Sequence, residues 1–359
     1  MPPQSTTELD FDILNPVLQV STKCKILNTI WAVHPQITPK NFSQDPTLGE
    51  SYLQYYGEQC RNALHVTGLK AVLRTHQDVI NIIQEVKHHN LSRAEIQGHI
   101  RAIHSDNLPD DTDSHDALLG EAINLGVRLL TMIDIGEMTH GFVPGQKSLL
   151  WDGGLLRKLV HDHFNSRSII QERVKLDRIF NARNLERIAG LQIVWTSNLA
   201  DHLRLTVDDT RIAIFHHASF LDHQKSKSFF PPGFIEETLK TLALLLPQYD
   251  QQSRKWFRNH RIKWYLDDKA ATCGHLTTEE RQIENFVFWH DRLVILKQVF
   301  DDAEPSTISQ WWGDRRRKVQ WYTFWVAALV LFLTILTIFF GVIQVIEGGL
   351  QVYKAYHPS

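Results

Sequence analysis

Residues 321–346 read WYTFWVAALVLFLTILTIFFGVIQVI. They hold no Asp, Glu, Lys, Arg or His, and Gln344 is their one strongly polar side chain. A run this apolar has two possible fates, the interior of a folded core or the interior of a bilayer. Length separates them. At ~1.5 Å rise per residue the run makes a helix about 39 Å long. That exceeds the ~30 Å hydrocarbon core of a bilayer, so the helix can span with some tilt. It also passes the ~18-residue threshold beyond which a buried core helix is the poorer reading. A helix satisfies its own backbone groups, which lipid demands.

The flanks differ in chemistry. Arg315, Arg316, Arg317 and Lys318 stand just before the run, and Glu347 and Lys354 follow it. Positive charge stays on the cytoplasmic side, which places the large N-terminal part in the cytosol and the residues after the span across the membrane. Trp311, Trp312, Trp321, Tyr322 and Trp325 before the span, and Tyr353 and Tyr356 after it, suit the two headgroup layers, where a ring is apolar and its N–H or O–H tip is wet. The basic cluster also attracts anionic lipid. A single span emerging last is the tail-anchored arrangement, inserted after translation, and an endomembrane is preferred to a mitochondrial one.

The residues before the span are numerous enough for a sizeable core. Hydrophobic content is 43 % and net charge is −2, which exclude a disordered tether and a general nucleic-acid binder. Cys24, Cys60 and Cys273 are odd in number and widely spaced, so neither a disulfide framework nor a zinc ribbon is indicated. The opening MPPQSTTELDFDILNP has no basic n-region and is not a signal peptide.

Residues 1–50 are proline-rich and read as mostly irregular, with one short element around 25–33. Residues 51–148 read as helical. Apolar positions recur at threes and fours over 66–88 and again over 117–133. Ser92 and Glu95 form a capping box that opens a further helix carrying Ile96, Ile100 and Ile103. Residues 104–116 and 136–146 read as loops. Residues 149–303 read as α+β passing into helix. Strands are predicted at 191–196 and 211–215 from their β-branched and aromatic content, with a short helix over 198–205 between them. A helix is predicted over 235–246. The clearest soluble helix is expected over 277–300, opened by a Thr277/Glu280 box. Pro305 ends it, and a juxtamembrane helical stalk over 304–320 is expected to run into the span, with 347–359 a short tail. The fold class is mostly α with a small α+β portion, and a long helical stalk continuing into one C-terminal transmembrane helix.

The stretch AGLQIVWTSNLADHLRL…IAIFHHASFL (189–221) and the stretch RQIENFVFWHDRL…WYTFWVAALVLFLT (281–334) resemble uncharacterised single-span membrane proteins of filamentous fungi. The resemblance runs from about residue 149 to the C-terminus. It implies a fungal source and a membrane protein, and it carries over no activity and no catalytic residue.

Histidines cluster at His161–His163, His216–His217 and His223. Imidazole is a metal ligand where three or four donors converge. On a helix His161 and His163 point about 200° apart and cannot share one ion. Partly exposed histidines at element ends are the simpler reading, and no cofactor is expected. There is no G-x-S-x-G, H-E-x-x-H, Walker loop or G-x-G-x-x-G. Within and just beyond the span, Ala327, Thr334, Gly341 and Gly348 are seven apart and share one helix face, the kind of small-residue seam through which spans pair.

The sequence therefore predicts a membrane-tethered binding or regulatory module rather than an enzyme. Its partners are the lipid bilayer, a protein not identifiable from sequence and a second copy paired through the span, with no nucleic acid. The alternatives are a metal-dependent enzyme built on the His/Asp clusters of 152–223, and an oligomeric ion channel.

Overall fold

The computed structural model describes residues 12–13, 18–31, 36–44, 49–66, 68–87, 91–104, 112–136, 148–165, 170, 174–225, 229–303 and 318–356. Two compact units divide the chain, Met1–Glu186 with Gly190–Asp302, and Ala303–Ser359 with Arg187–Ala189. The three segments told apart in the sequence, 1–50, 51–148 and 149–303, thus lie almost wholly in the first unit.

The helices of that unit begin inside the segment expected to be mostly irregular. Helix α1 (Val20–Trp31) buries Ile26, Leu27, Ile30 and Trp31, and α2 is Pro39–Gln44. Then come α3 (Glu50–Ala63), α4 (His76–Val86), α5 (Arg93–His104) and α6 (Thr112–Thr131). Local chemistry explains their starts. Thr75 and Asp78 exchange bonds at the head of α4, Asp78 N donating to Thr75 Oγ1 at 3.3 Å and Thr75 N to Asp78 Oδ2 at 2.8 Å. The box at Ser92 and Glu95 forms as read from sequence, with Ser92 N donating to Glu95 Oε2 at 2.7 Å.

Helix α6 is the centre of this half. It packs on α3, α4 and α5, and Leu119, Ala122, Ile123, Val127 and Leu129 are fully buried. Gly126 lets α4 approach, since a Cβ there would meet Ile82 Cγ2 at 2.8 Å. Tyr52 and Tyr55 of α3 reach the last turn of α6, Tyr52 Oη donating to Leu129 O at 2.5 Å and Tyr55 Oη to Arg128 O at 3.1 Å, a carbonyl that also accepts from Met132 N at 2.8 Å.

The second half holds α7 (Leu156–Phe164), α8 (Ala182–Arg187) and a three-stranded sheet of order β1-β3-β2. Strand β1 (Gln192–Thr196) runs parallel to β3 (Arg211–Phe215), with Gln192 opposite Arg211 and Thr196 opposite Phe215. Both strands lie where the sequence puts them. Ile212, Ala213, Ile214 and Phe215 are all buried, as a central strand requires. The helix expected over 198–205 is instead a 3-10 turn, Leu199–Asp201, followed by the short antiparallel strand β2 (Leu205–Thr206). Leu203 stops any helix there, with φ 61° and its N–H given to Ala213 O at 2.8 Å. Helices α9 (Ala218–His223), α10 (Phe234–Leu245), α11 (Gln251–Trp264) and α12 (His290–Asp302) follow.

The helix expected over 277–300 is corrected to α12 alone. The Thr277/Glu280 box does form, at 2.8 and 3.3 Å. Tertiary partners then take the backbone that a helix would need. Ile283 N donates to Val174 O at 3.0 Å, and Arg281 O accepts from Leu176 N at 2.9 Å. The N–H groups of Val287, Phe288 and Trp289 all donate to the buried carboxylate of Glu237, each at 2.8 Å. Glu237 thereby anchors the entry to α12 from a different helix.

In the second unit, α13 (Lys318–Tyr356) passes both expected ends of the span, so the expected tail is helical as far as Tyr356. Residues 304–317, which include Arg315, Arg316, Arg317 and most of the expected stalk, lie outside the described residues; Lys318 opens α13.

Candidate functional site

Within α13, the most apolar eighteen-residue stretch of Tyr322–Tyr353 has a mean hydropathy of 2.9, and none of that stretch is buried by protein. It is the one helix among the described residues long and apolar enough to cross a membrane. Its polar groups are self-contained. Thr334 Oγ1 donates to Val330 O at 2.8 Å and Thr337 Oγ1 to Leu333 O at 2.9 Å, each back to its own helix. Gly341 and Gly348 have open space around them, and Ala327, Thr334, Gly341 and Gly348 all lie on this helix.

The five histidines singled out in the sequence belong to three places. His161 and His163 sit two apart on α7, the spacing that turns their side chains away from each other. His223 ends α9, and its ring stacks on Trp31 at 4.6 Å. His216 and His217 follow β3, their rings 4.0 Å apart. His216 Nδ1 accepts the N–H of Asp267 at 3.3 Å, and His217 Nε2 shares a hydrogen bond with Ser197 Oγ at 2.9 Å. Burial drives His216 down to about 3 and His217 well below the usual imidazole range, so both are neutral at pH 7. Among the described residues no three of His, Cys, Asp or Glu are grouped so as to hold a metal ion. The Ser197–His217 contact lies at the C-terminal ends of the parallel strands. His217 Nδ1 has no hydrogen-bond partner among the described residues, so the acid that orients a general base is missing.

His202 lies within the His/Asp clusters of 152–223 but is not among the five histidines singled out in the sequence. Its Nδ1 accepts the N–H of Phe215 at 3.1 Å, which leaves Nε2–H to donate to Thr241 Oγ1 at 2.6 Å. Thr241 donates on to Thr238 O at 2.6 Å, and Trp289 Nε1 donates to Thr238 Oγ1 at 2.9 Å. This buried chain ties β3, α10 and the entry of α12 together. Burial and the nearby Arg292 drive His202 down to about 3.

A cavity of about 340 Å³ opens beside the end of α10. Phe180, Leu244 and Leu276 supply apolar wall, and Asp177, Arg178, Asp250 and Arg281 are its charged members. Asp250 is already spent, capping α11 by accepting from Gln252 N at 3.1 Å and Ser253 N at 3.3 Å. Arg281 is only 8 % exposed. It donates to Thr277 O at 3.3 Å, Leu176 O at 3.2 Å and Thr278 Oγ1 at 3.4 Å, and among the described residues it meets no carboxylate. A guanidinium carries five N–H donors, so capacity remains beyond these long bonds. Nothing in the sequence marked Arg281, which there is one basic residue in a capped turn.

No protein-family model, no curated protein and no solved structure matches the chain.

Proposed function

We propose that this protein is a membrane-tethered binding module, held by α13 and carrying its first unit on the cytosolic side. One observation carries the reading, the 32-residue stretch Tyr322–Tyr353 with no protein over its most apolar part. Left in water, its Leu, Ile, Val and Phe side chains would forfeit on the order of tens of kcal/mol of burial. Lipid supplies that burial. The side assignment rests on Arg315, Arg316, Arg317 and Lys318 preceding the span. The test is fractionation of cells expressing the chain with and without residues 321–359. The whole chain stays with membranes after a high-salt wash and the shortened chain moves to the soluble fraction. A shortened chain that still pellets overturns the reading. The sequons at Asn41 and Asn90 report the side, and a mass shift removed by endoglycosidase would put the first unit in the lumen.

The binding element favoured by geometry is the cavity at Arg281. Apolar walls beside a buried guanidinium that forms no ion pair among the described residues suit a small apolar molecule bearing a carboxylate, although Asp177 and Asp250 also line the cavity. In full-length protein, 4-phenylbutyrate raises the unfolding temperature and 4-phenylbutanol does not. Equal shifts, or none, remove this part of the proposal.

A further inference from the structure

Helix α11 reads QQSRKWFRNHRIKW, with five Lys or Arg and no acid. Only Ser253 and Phe257 of it are buried. At 100° per residue Gln251, Lys255, Arg258 and Ile262 form one line down the opposite, outward side. Ile262 on that line is 68 % exposed, and Trp264 and Tyr265 at the helix end are 53 % and 63 % exposed. No other stretch of the first unit's described residues brings three exposed large apolar side chains so close together.

The acids near α11 are committed elsewhere. Asp250 caps its first turn, Asp268 pairs with Arg261, and Glu186 accepts from Trp256 Nε1 at 2.6 Å. Arg254, Lys255, Arg258 and Lys263 make no ion pair among the described residues, and Lys263 lies over the Trp264 ring at 4.9 Å. A helix built only to face water interleaves acids at i+4, because like charges at that spacing destabilise it. Here Arg254 and Arg258 stand at that spacing. Four unanswered cations, with an isoleucine among them and a Trp-Tyr pair at the end, form the pattern of a helix that lies in a headgroup layer.

We propose that α11 is a second, peripheral membrane contact that docks the first unit on an anionic bilayer surface. The cations answer lipid phosphates and carboxylates, while Ile262, on the same outward line as Lys255 and Arg258, enters the acyl boundary; Trp264 lies about 200° from it and stays at the helix end. The proposal rests on the anchor reading, because α13 keeps a bilayer at high effective concentration around the first unit. Each Lys or Arg near such a surface strengthens attachment roughly fivefold.

The experiment uses the full chain in proteoliposomes, with Ile262→Cys carrying an environment-sensitive fluorophore and Cys273→Ser removing the half-buried native thiol. Cys24 and Cys60 are buried. In phosphatidylcholine containing phosphatidylserine, emission rises at least about twofold and shifts to the blue, relative to phosphatidylcholine alone. High salt and the charge reversal Arg254→Glu/Lys255→Glu/Arg258→Glu abolish the difference. The milder Lys255→Gln/Arg258→Gln pair reduces it, should the reversal fail to fold. Equal emission in the two bilayers, or a difference indifferent to both sets of substitutions, overturns the proposal. So does a label that responds to single-stranded RNA or an acidic polypeptide but not to anionic lipid. Flotation separates the two readings: a chain that does not float fails as an anchored protein, whereas one that floats with a silent label fails only here.

Discussion

Helices α10 and α13 are both rich in Leu, Ile, Phe and Thr, and they meet opposite fates. Ten residues of α10 are buried by protein, Glu237, Thr238 and Thr241 among them. The most apolar part of α13 has no protein over it. In α10 the polar side chains accept from specific partners outside the helix, Glu237 from three N–H groups, Thr241 from His202 and Thr238 from Trp289, while both threonines also donate back to their own helix. In α13 Thr334 and Thr337 bond back to their own helix. Protein burial is therefore directional and tied to named partners, whereas lipid burial is non-directional and tolerates exchange of one apolar side chain for another.

The largest expected effect tests that directionality. Glu237→Ala strands three backbone N–H groups at the entry to α12 and costs ~3 kcal/mol or more, at 1–3 each. Thr337→Val in α13 stays within ~0.5 kcal/mol. Denaturant unfolding of the full chain in micelles measures both, and similar costs would erase the contrast. Packing comes next. Leu242→Ala, fully buried in α10, costs ~2–4 kcal/mol, while Leu333→Ala leaves the first unit's unfolding midpoint unchanged.

Acid sharpens the contrast further. His202 and His216 titrate near 3 when folded and near 6.5 when unfolded. Between those values the unfolded chain holds more protons, so their stabilisation is complete above ~6.5 and falls with pH at up to ~1.4 kcal/mol per unit for each. Buried Asp201, Glu237 and Asp267 are pushed upward by burial and act in the opposite sense in the carboxylate range. The histidine signature is thus cleanest between about pH 6.5 and 5. Membrane retention by α13 should not change across that window, and a flat unfolding temperature there would contradict the buried neutral assignment.

The smallest effect concerns pairing. Gly341 has open space on its face, so Gly341→Leu leaves retention intact. It lowers a membrane two-hybrid signal from residues 321–346 if the face of Ala327, Thr334, Gly341 and Gly348 pairs two spans, and Leu333→Ala does not. Equal signals leave α13 an anchor alone.

Much of this was readable along the chain because its causes are local. The apolar run of α13, the box at Ser92 and Glu95, and the β-branched strands at 192–196 and 211–215 each carry their reason within a few residues. Helices α9 and α11 were passed over: α11 is mostly polar and basic and buries only two residues, so its periodicity is faint. The helix expected over 277–300 failed for the opposite reason. Its apolar spacing was sound, but Val174, Leu176 and Glu237, distant in sequence, claimed its backbone groups. The histidines show the same divide. Composition revealed their abundance, yet burial, tautomer and partner depend on which elements pack around them. Arg281 is the extreme case. Its charge is visible in one letter, while its burial on Thr277, Thr278 and Leu176 arises only when distant segments converge on it. Length and apolarity act on any segment wherever it sits, so the chain alone specifies a helix long and apolar enough to span a membrane. Hydrogen bonds and burial act between segments, so the cavity, the neutral histidines and the cap on α12 exist only once the fold brings their residues together.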